Sequence, residues 1–83
     1  MRCTVVWDPD TQDELARLWL NAPDPQAVAD AADKIDRLLQ VSAATVGEAF
    51  GSDRRLVVEP LEVVFTVSPD DCLVRVYQVA LVP

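Results

Sequence analysis

The last third of the chain contains three runs of β-branched and aromatic residues, separated by two short breaks. The runs cover residues 54–58, 61–67 and 72–81, and the breaks are Glu59-Pro60 and Ser-Pro-Asp-Asp at 68–71. Runs of this composition between turn-forming residues are typical of strands joined by tight connections. The pattern predicts an antiparallel three-stranded meander, onto which the rest of the chain must pack.

Pairing across the two breaks sorts the side chains of the meander onto two faces. A two-residue turn at the first break places Leu56 opposite Val63. A four-residue loop at the second break places Phe65 opposite Val74 and, next to the loop, Val67 opposite Cys72. One face is then wholly apolar and must be covered; it carries Leu56, Val58, Leu61, Val63, Phe65, Val67, Val74 and Val76. The other face is mixed; it carries Arg55, Val57, Glu62, Val64, Thr66, Leu73, Arg75, Tyr77, Val79 and Leu81.

The residues upstream of the meander predict a strand followed by a helix. Residues 2–7 alternate between two sides, as a strand does. Residues 11–14, Thr-Gln-Asp-Glu, form a capping box that opens a helix. The apolar positions of this helix recur at helical spacing; they are Leu15, Leu18, Trp19 and Ala22. This spacing predicts that Trp19 is a core residue, and we expect the same of Trp7.

A second helix follows, and then a loop. Asp24 is a good N-cap with Pro25 at the first helical position, and the helix fades near Ser42. Its polar side carries acid-first pairs four residues apart, Asp30/Lys34 and Asp33/Arg37. Residues 43–53, with Gly47, Gly51 and Ser52, are predicted to be a loop. The apolar stripe of the helix consists of Val28, Ala31, Ala32, Ile35, Leu38 and Leu39.

Together these elements predict one α+β domain over residues 1–83. Two antiparallel helices packed on one face of the sheet would cover its apolar side. The first strand must also pair, and we expect it at or near an edge, beside the last strand. A chain of 83 residues with 51% apolar content is sufficient for one dense small core and leaves some apolar surface for a partner.

Charge and composition exclude several classes of function. The net charge is −7, and residues 8–36 carry eight acidic against two basic residues. Nucleic-acid binding requires cations that neutralise phosphates, so we expect no direct nucleic-acid partner. The acidic side is either a solvated face or a surface for a basic protein. With no apolar run long enough to span a membrane and no signal peptide, we expect a cytoplasmic protein without a membrane partner.

The chain also lacks the residues of several common catalytic sites. It has no histidine, which excludes Ser-His-Asp and Cys-His arrangements, and two glycines cannot form a phosphate-binding loop. We therefore expect no metal and no cofactor. Cys3 and Cys72 are the only cysteines; they are either buried thiols, or a disulfide or redox pair.

One group of polar residues converges on the mixed face of the meander. This polar cluster is either a surface salt bridge beside a tyrosine or a binding patch, and it consists of Arg55, Glu62, Arg75 and Tyr77. In the register given above, Glu62 and Arg75 lie diagonally across a hairpin and are expected to pair. That pairing would leave Arg55 for an acidic group on a partner.

The succession of elements resembles the RelE/ParE superfamily of bacterial toxins. Each motif is weak alone, but together they span nearly the whole chain; they are Trp7-Asp8-Pro9, 15–19, 31–39, Gly47-Glu48, 54–58, 60–67 and 74–79. The resemblance implies a cytoplasmic toxin neutralised by a small antitoxin. Members act as ribosome-dependent mRNA endonucleases or as gyrase inhibitors.

The chain departs from the ribonuclease branch of that superfamily in its basic residues. Arg55 fits one basic position, but Glu62 stands where that branch has an arginine on the middle strand. The basic and aromatic residues that the branch carries after its last strand have no counterpart. Cleavage of RNA would have to use Glu62 as base, Tyr77 as proton donor and Arg75 as cation.

Three functions follow from the resemblance. The first is a toxin-like protein, non-enzymatic or degenerate, that binds protein and is neutralised by an antitoxin. The second is an active mRNA endonuclease that uses the polar cluster, and the third is a stand-alone interaction domain without toxicity. For the first, we expect an antitoxin segment or a second copy of the chain to dock on the mixed face; the contact residues would be Arg55, Glu62, Leu73, Arg75, Tyr77 and Val79.

Overall fold

The computed structural model describes residues 2–83, which form an α+β fold with two helices and five strands. The elements in chain order are β1 (Thr4–Trp7), α1 (Pro9–Asn21), α2 (Pro25–Ser42), β2 (Glu48–Phe50), β3 (Asp53–Val58), β4 (Leu61–Ser68) and β5 (Leu73–Leu81).

The strands form one sheet in the order β1-β5-β4-β3-β2. The meander β3-β4-β5 is antiparallel, and β1 lies at an edge, parallel to β5. Both the meander and the edge position of β1 beside the last strand were predicted, and both are confirmed. The predicted pairing of Leu56 with Val63 is also correct, because Glu59-Pro60 is the two-residue turn between β3 and β4.

The register between β4 and β5 differs from the prediction in two ways. The connection has the predicted length of four residues but lies one residue later, so Val67 pairs with Val74 and not with Cys72. A bulge at Tyr77 then adds one residue to β5. Because an extra residue exchanges the two faces of a strand, Val79 points into the core and is 9% exposed. The prediction that Val79 lies on the mixed face is therefore wrong.

The region predicted to be a loop contains a short fifth strand. Phe50 pairs with Asp53, so Gly51-Ser52 is a two-residue hairpin turn. Gly51 has a φ of +63°, in the left-handed region that glycine tolerates best. Gly47, at φ +72°, begins the strand so close to β3 that a Cβ atom there would lie 2.1 Å from the Arg55 carbonyl oxygen. The loop prediction for residues 43–53 is wrong at this strand.

The helices begin with different capping arrangements. Asp24 caps α2 as predicted, accepting a hydrogen bond from the Ala27 amide at 3.3 Å, with Pro25 at the first position. By contrast, α1 begins two residues before the predicted capping box, and Thr11 is buried instead of capping. Neither helix is long and apolar enough to cross a membrane, within the residues described.

One of the two predicted ion pairs on α2 is formed. The guanidinium of Arg37 lies 3.1 Å from the carboxylate of Asp33, with both side chains largely exposed. Asp30 instead accepts a hydrogen bond from Gln26 at 2.8 Å, so the Asp30/Lys34 prediction is wrong. Exposed pairs of this kind contribute only a few tenths of a kcal/mol.

The core lies between α2 and the apolar face of the meander. Four residues of the predicted stripe of α2 are buried against β3, β4 and β5, and the other two, Ala32 and Leu38, are partly buried and pack on the same core. Helix α1 packs against β5 and contributes the partly buried Leu15 and Leu18. Trp7 is partly buried and packs on the core, but Trp19 is 44% exposed, so the core prediction for Trp19 is wrong.

A disulfide joins Cys3, just before β1, to Cys72 in the turn between β4 and β5. Of the alternatives left open by the sequence, the structure therefore has the disulfide. The two residues are 69 positions apart in sequence. A cross-link that closes a loop of this length lowers the conformational entropy of the unfolded state, which stabilises the folded state by about 4 kcal/mol.

Phe65 is fully buried in the middle of β4, beneath α2. Replacing it with alanine leaves a cavity that the surrounding side chains cannot fill, so we expect Phe65→Ala to lower the free energy of unfolding by ~3–5 kcal/mol. Phe50→Ala is the matched control, because Phe50 is 50% exposed. Urea unfolding of both variants measures the difference. A loss below ~1 kcal/mol for Phe65→Ala would contradict the placement of the core.

Candidate functional site

The face of the sheet opposite α2, which we call the open face, carries the polar cluster predicted from the sequence. Arg55 lies on β3, Glu62 on β4, and Arg75 and Tyr77 on β5. The strand order places β4 between the other two, so all four side chains share one surface. The structure thus brings the four residues to one face, but it pairs them differently from the prediction.

Arg55 lies between two carboxylates. Its Nη2 donates to Glu48 on β2, and its Nη1 donates to Glu62 on β4 at 3.4 Å. The hydrogen bond and the negative charge of Glu48, followed by the charge of Glu62, raise the pKa of Arg55 above its ordinary value. Arg55 Nε is buried without a hydrogen-bond partner among the described residues. The guanidinium is therefore permanently charged and already occupied by acidic groups.

Tyr77 occupies the bulge of β5 and reaches across to the first residue of β3. Its hydroxyl donates to the carboxylate of Asp53. This hydrogen bond, and then partial desolvation, raise the pKa of Tyr77 above the usual value for tyrosine. A tyrosine held in this way keeps its proton more tightly, which makes it a weaker proton donor for catalysis.

Arg75 has two neighbours on the open face. Its guanidinium carbon lies 5.7 Å from the centre of the Tyr77 ring, within the range of a cation–π contact. Its Nε lies 3.7 Å from the carboxylate of Asp8, at the end of β1. The side chain of Arg75 is 54% exposed, so it is the more accessible of the two arginines in the cluster.

The predicted pair between Glu62 and Arg75 is not formed. Arg75 lies opposite Thr66, whereas Glu62 lies opposite Ala80. The four positions along β4 separate the two side chains by roughly 13 Å. The expectation that Arg55 remains unpaired is wrong for the same reason, because Glu62 turns to Arg55 instead.

Three carboxylates of this site were not recognised in the sequence. Glu48 was assigned to a loop, and it reaches Arg55 because β2 pairs with β3 and places the two residues opposite each other. Asp53 belongs to the same predicted loop, and Asp8 follows the strand predicted over residues 2–7. The Gly51-Ser52 dipeptide is the signal that could have revealed the hairpin and, with it, Glu48 and Asp53.

The charges of the open face are compensated within the chain. Four carboxylates lie against two guanidinium groups and one phenol; they belong to Asp8, Glu48, Asp53 and Glu62. Such a surface offers little net positive charge to a phosphate. Among residues 2–83, no cluster of three or more potential ligands is arranged to hold a metal ion.

Exposed apolar side chains surround the polar cluster. The register places Leu73 beside Arg75 on β5, and Val6 on β1 pairs with Arg75; Val57 and Phe50 lie on the far side. Their exposed fractions range from 37% for Leu73 to 50% for Phe50. Val64, in the middle of the same face, is only 5% exposed, because neighbouring side chains shield it. A polar centre with an apolar border suits a protein partner.

A concave surface separate from the open face, which we call the interhelical groove, lies between α1 and α2. It has a volume of about 600 Å³ and is mostly apolar, with Asp33 and Asp36 along one side. Trp7 lies at this groove and donates a hydrogen bond from Nε1 to Asp36 at 3.3 Å. Trp19 lines it as well, which explains why this tryptophan is exposed although it has helical spacing.

The fold is similar to those of several solved toxin structures. The toxin–antitoxin complex RelBE2 from Mycobacterium tuberculosis contains a chain with a TM-score of 0.82 at 13% identity, covering 99% of this chain and 93% of that one. The chromosomal ParDE system from P. aeruginosa gives 0.77 at 18% identity, with 99% and 98% covered. The intact E. coli RelBE complex gives 0.63 at 13% identity, with 98% of each chain covered.

These likenesses confirm the predicted RelE/ParE resemblance at the level of the fold. No protein-family model matches the chain, and no curated protein matches it significantly. The chain therefore shares its fold with chains of these complexes over nearly its full length.

The raised pKa of Tyr77 can be measured directly, because Tyr77 is the only tyrosine in the chain. We expect its phenolate absorbance to develop with a midpoint above the ordinary value of about 10. Asp53→Ala should lower that midpoint, whereas Asp33→Ala, which alters an exposed carboxylate on α2, should not. Equal midpoints in the wild type and Asp53→Ala would contradict the prediction that the hydrogen bond to Asp53 raises the pKa of Tyr77.

The sign of the effect on stability follows from the same shift. Because folding raises the pKa of Tyr77, the contribution of this contact to stability is complete below the unfolded pKa. It is lost as the pH rises through the folded pKa.

Proposed function

We propose, from its RelE/ParE-like fold, that this chain is the toxin-like member of a type II toxin–antitoxin pair. It acts by binding protein and is neutralised by a small antitoxin. The observation that carries the proposal is the full-length likeness to chains solved within toxin–antitoxin assemblies from three bacteria. An acidic protein of this kind is suited to a partner with basic residues.

The open face is the surface proposed for the antitoxin. Its exposed apolar border supplies area that gains free energy when water is excluded. Tyr77 and Arg75 lie inside this apolar border, near the centre of the open face. Aromatic and arginine residues commonly carry most of the binding energy at the centre of an interface. A second copy of the chain is the alternative occupant of the same face.

The charge pattern of the open face favours binding of protein over cleavage of RNA. A ribonuclease needs cations available to stabilise the negative charge that develops on the phosphate. Both arginines of the polar cluster lie against carboxylates of this chain, and the Tyr77 hydroxyl donates a hydrogen bond to Asp53. An RNA substrate would have to displace these contacts and approach a protein with a net charge of −7.

The proposal predicts a specific effect of two substitutions on antitoxin binding. Tyr77→Ala and Arg75→Ala should each weaken binding of the antitoxin, taken as the product of the adjacent gene, by at least about tenfold. Arg37→Ala is the matched control, because Arg37 is an exposed arginine on α2, away from the open face. Calorimetric titration measures the affinities, and circular dichroism confirms that each variant is folded.

A substitution in the interhelical groove tests the alternative position of the antitoxin in the same titration. If Tyr77→Ala and Arg75→Ala bind like the wild type while Trp19→Ala binds weakly, the antitoxin lies on the helical side and the open face is not the interface. A growth assay with and without the antitoxin separates a toxin from a stand-alone interaction domain. Growth arrest that the antitoxin relieves supports the toxin, and unaffected growth supports the stand-alone domain.

The same proposal predicts no measurable binding to RNA or duplex DNA near physiological salt, because phosphate binding depends on uncompensated cations. Fluorescence anisotropy with labelled single-stranded RNA and with a DNA duplex measures this directly. Micromolar binding that weakens steeply with added salt would contradict the charge argument. Cleavage of mRNA on expression would favour the endonuclease in its place.

A further inference from the structure

The Cys3–Cys72 disulfide joins an edge of the sheet to a turn. On one side is the start of β1, a strand of four residues at the sheet edge. On the other side is the turn between β4 and β5. We infer that this pair is a reversible redox site, reduced by a dithiol, that controls whether β1 stays closed on the edge of β5. The inference does not depend on the proposed function.

The disulfide lies at the surface, where a reductant can reach it. Cys3 and Cys72 are each half-buried. Both line a groove of about 330 Å³ between the end of α2 and the β4–β5 turn, together with Val41, Val67 and Pro69. A groove of this size admits a small thiol. Accessible disulfides are the ones that take part in exchange, whereas structural ones are shielded from it.

The exchange reaction needs only a dithiol as co-reactant. A thiolate of the dithiol attacks one sulfur of the pair and forms a mixed disulfide, and the other cysteine leaves as a thiolate that takes up a proton. The second thiol of the dithiol then displaces the first cysteine, which is protonated in turn. Two electrons pass to the protein, which ends as a dithiol, while the reductant becomes a disulfide.

Few contacts hold the N-terminal end of β1 once the disulfide is cut. The Thr4 amide donates to the Cys72 carbonyl at 3.0 Å, and the Cys3 amide donates to the Gln40 carbonyl at 2.7 Å. Thr4 and Val6 are exposed, whereas Val5 and Trp7 are half-buried and pack on the core, so the end of β1 next to Cys3 buries less surface than the end next to Asp8. Segments with few buried contacts open locally at low cost in free energy.

Cys72 itself adopts a backbone conformation that the cross-link helps to maintain. Its φ is +47°, in the left-handed region that residues other than glycine rarely occupy. A single turn hydrogen bond, from the Cys72 amide to the Pro69 carbonyl at 3.2 Å, also holds it there. Reduction therefore loosens both partners of the Thr4–Cys72 contact together.

Opening of β1 has a defined consequence for the sheet. β1 pairs with residues Leu73 to Val76 of β5, and its departure would leave that part of β5 as an unpaired edge. It would also release Asp8, which follows β1 and lies 3.7 Å from Arg75. The oxidised pair keeps the edge covered, and the reduced pair permits it to open.

The test combines thiol alkylation with amide hydrogen exchange on the intact chain. The protein is equilibrated in mixtures of oxidised and reduced dithiothreitol and then alkylated. We expect two alkylated thiols per chain in reducing mixtures, none in oxidising ones, and full reversal on reoxidation. In the reduced protein, amides of residues 4–7 and 73–76 should exchange at a free energy of opening well below that of amides in the middle of α2, which report the global stability. In the oxidised protein the two groups should open at similar free energies.

The matched control is the Cys3→Ser/Cys72→Ser variant, whose exchange should equal that of the reduced wild type in every mixture. Three results would overturn the inference. The first is alkylation of both thiols in the oxidising mixture, which would mean that the pair does not form. The second is a disulfide that dithiothreitol reduces only after the protein is unfolded. The third is exchange of residues 4–7 that accelerates on reduction no more than exchange in the middle of α2 does.

Discussion

The packing of α2 onto the meander is the contact on which the other features depend. Ile35 and Leu39 are fully buried against a sheet face whose central residue, Phe65, is also fully buried. This apolar layer fixes which side of each strand points inward, and so determines which side chains remain on the open face. The four residues of the polar cluster share one face because the core takes the alternate positions of β3 and β4 and, up to the bulge at Tyr77, of β5.

The sequence predicted the layers of the fold better than their details. Apolar alternation identified the meander, and the Asp24-Pro25 signal identified the start of α2, because both reflect strong local preferences. The strand β2 was missed because three exposed residues carry no hydrophobic period. The bulge at Tyr77 was missed because one extra residue changes neither composition nor propensity.

Prediction of the site failed where it depended on register. The four residues of the polar cluster were correctly placed on one face, since a shift of two positions between β4 and β5 keeps the faces unchanged. Which charges meet depends on single positions along the strands, and so Glu62 pairs with Arg55 and not with Arg75. The other acidic groups that neutralise the arginines lie on β2 and at the end of β1, where no hydrophobic period or turn pattern points to a site.

The bulge divides β5 into two segments: odd-numbered residues face the open side in the first segment and the core in the second. Before Tyr77, odd-numbered positions such as Leu73 and Arg75 face the open side; after it, Val79 faces the core. A related chain that lacks the extra residue would align correctly with only one of the segments unless a gap is placed at the bulge. Equivalent site residues in such chains must therefore be assigned by superposing the strands, because counting along the sequence would exchange buried and exposed positions.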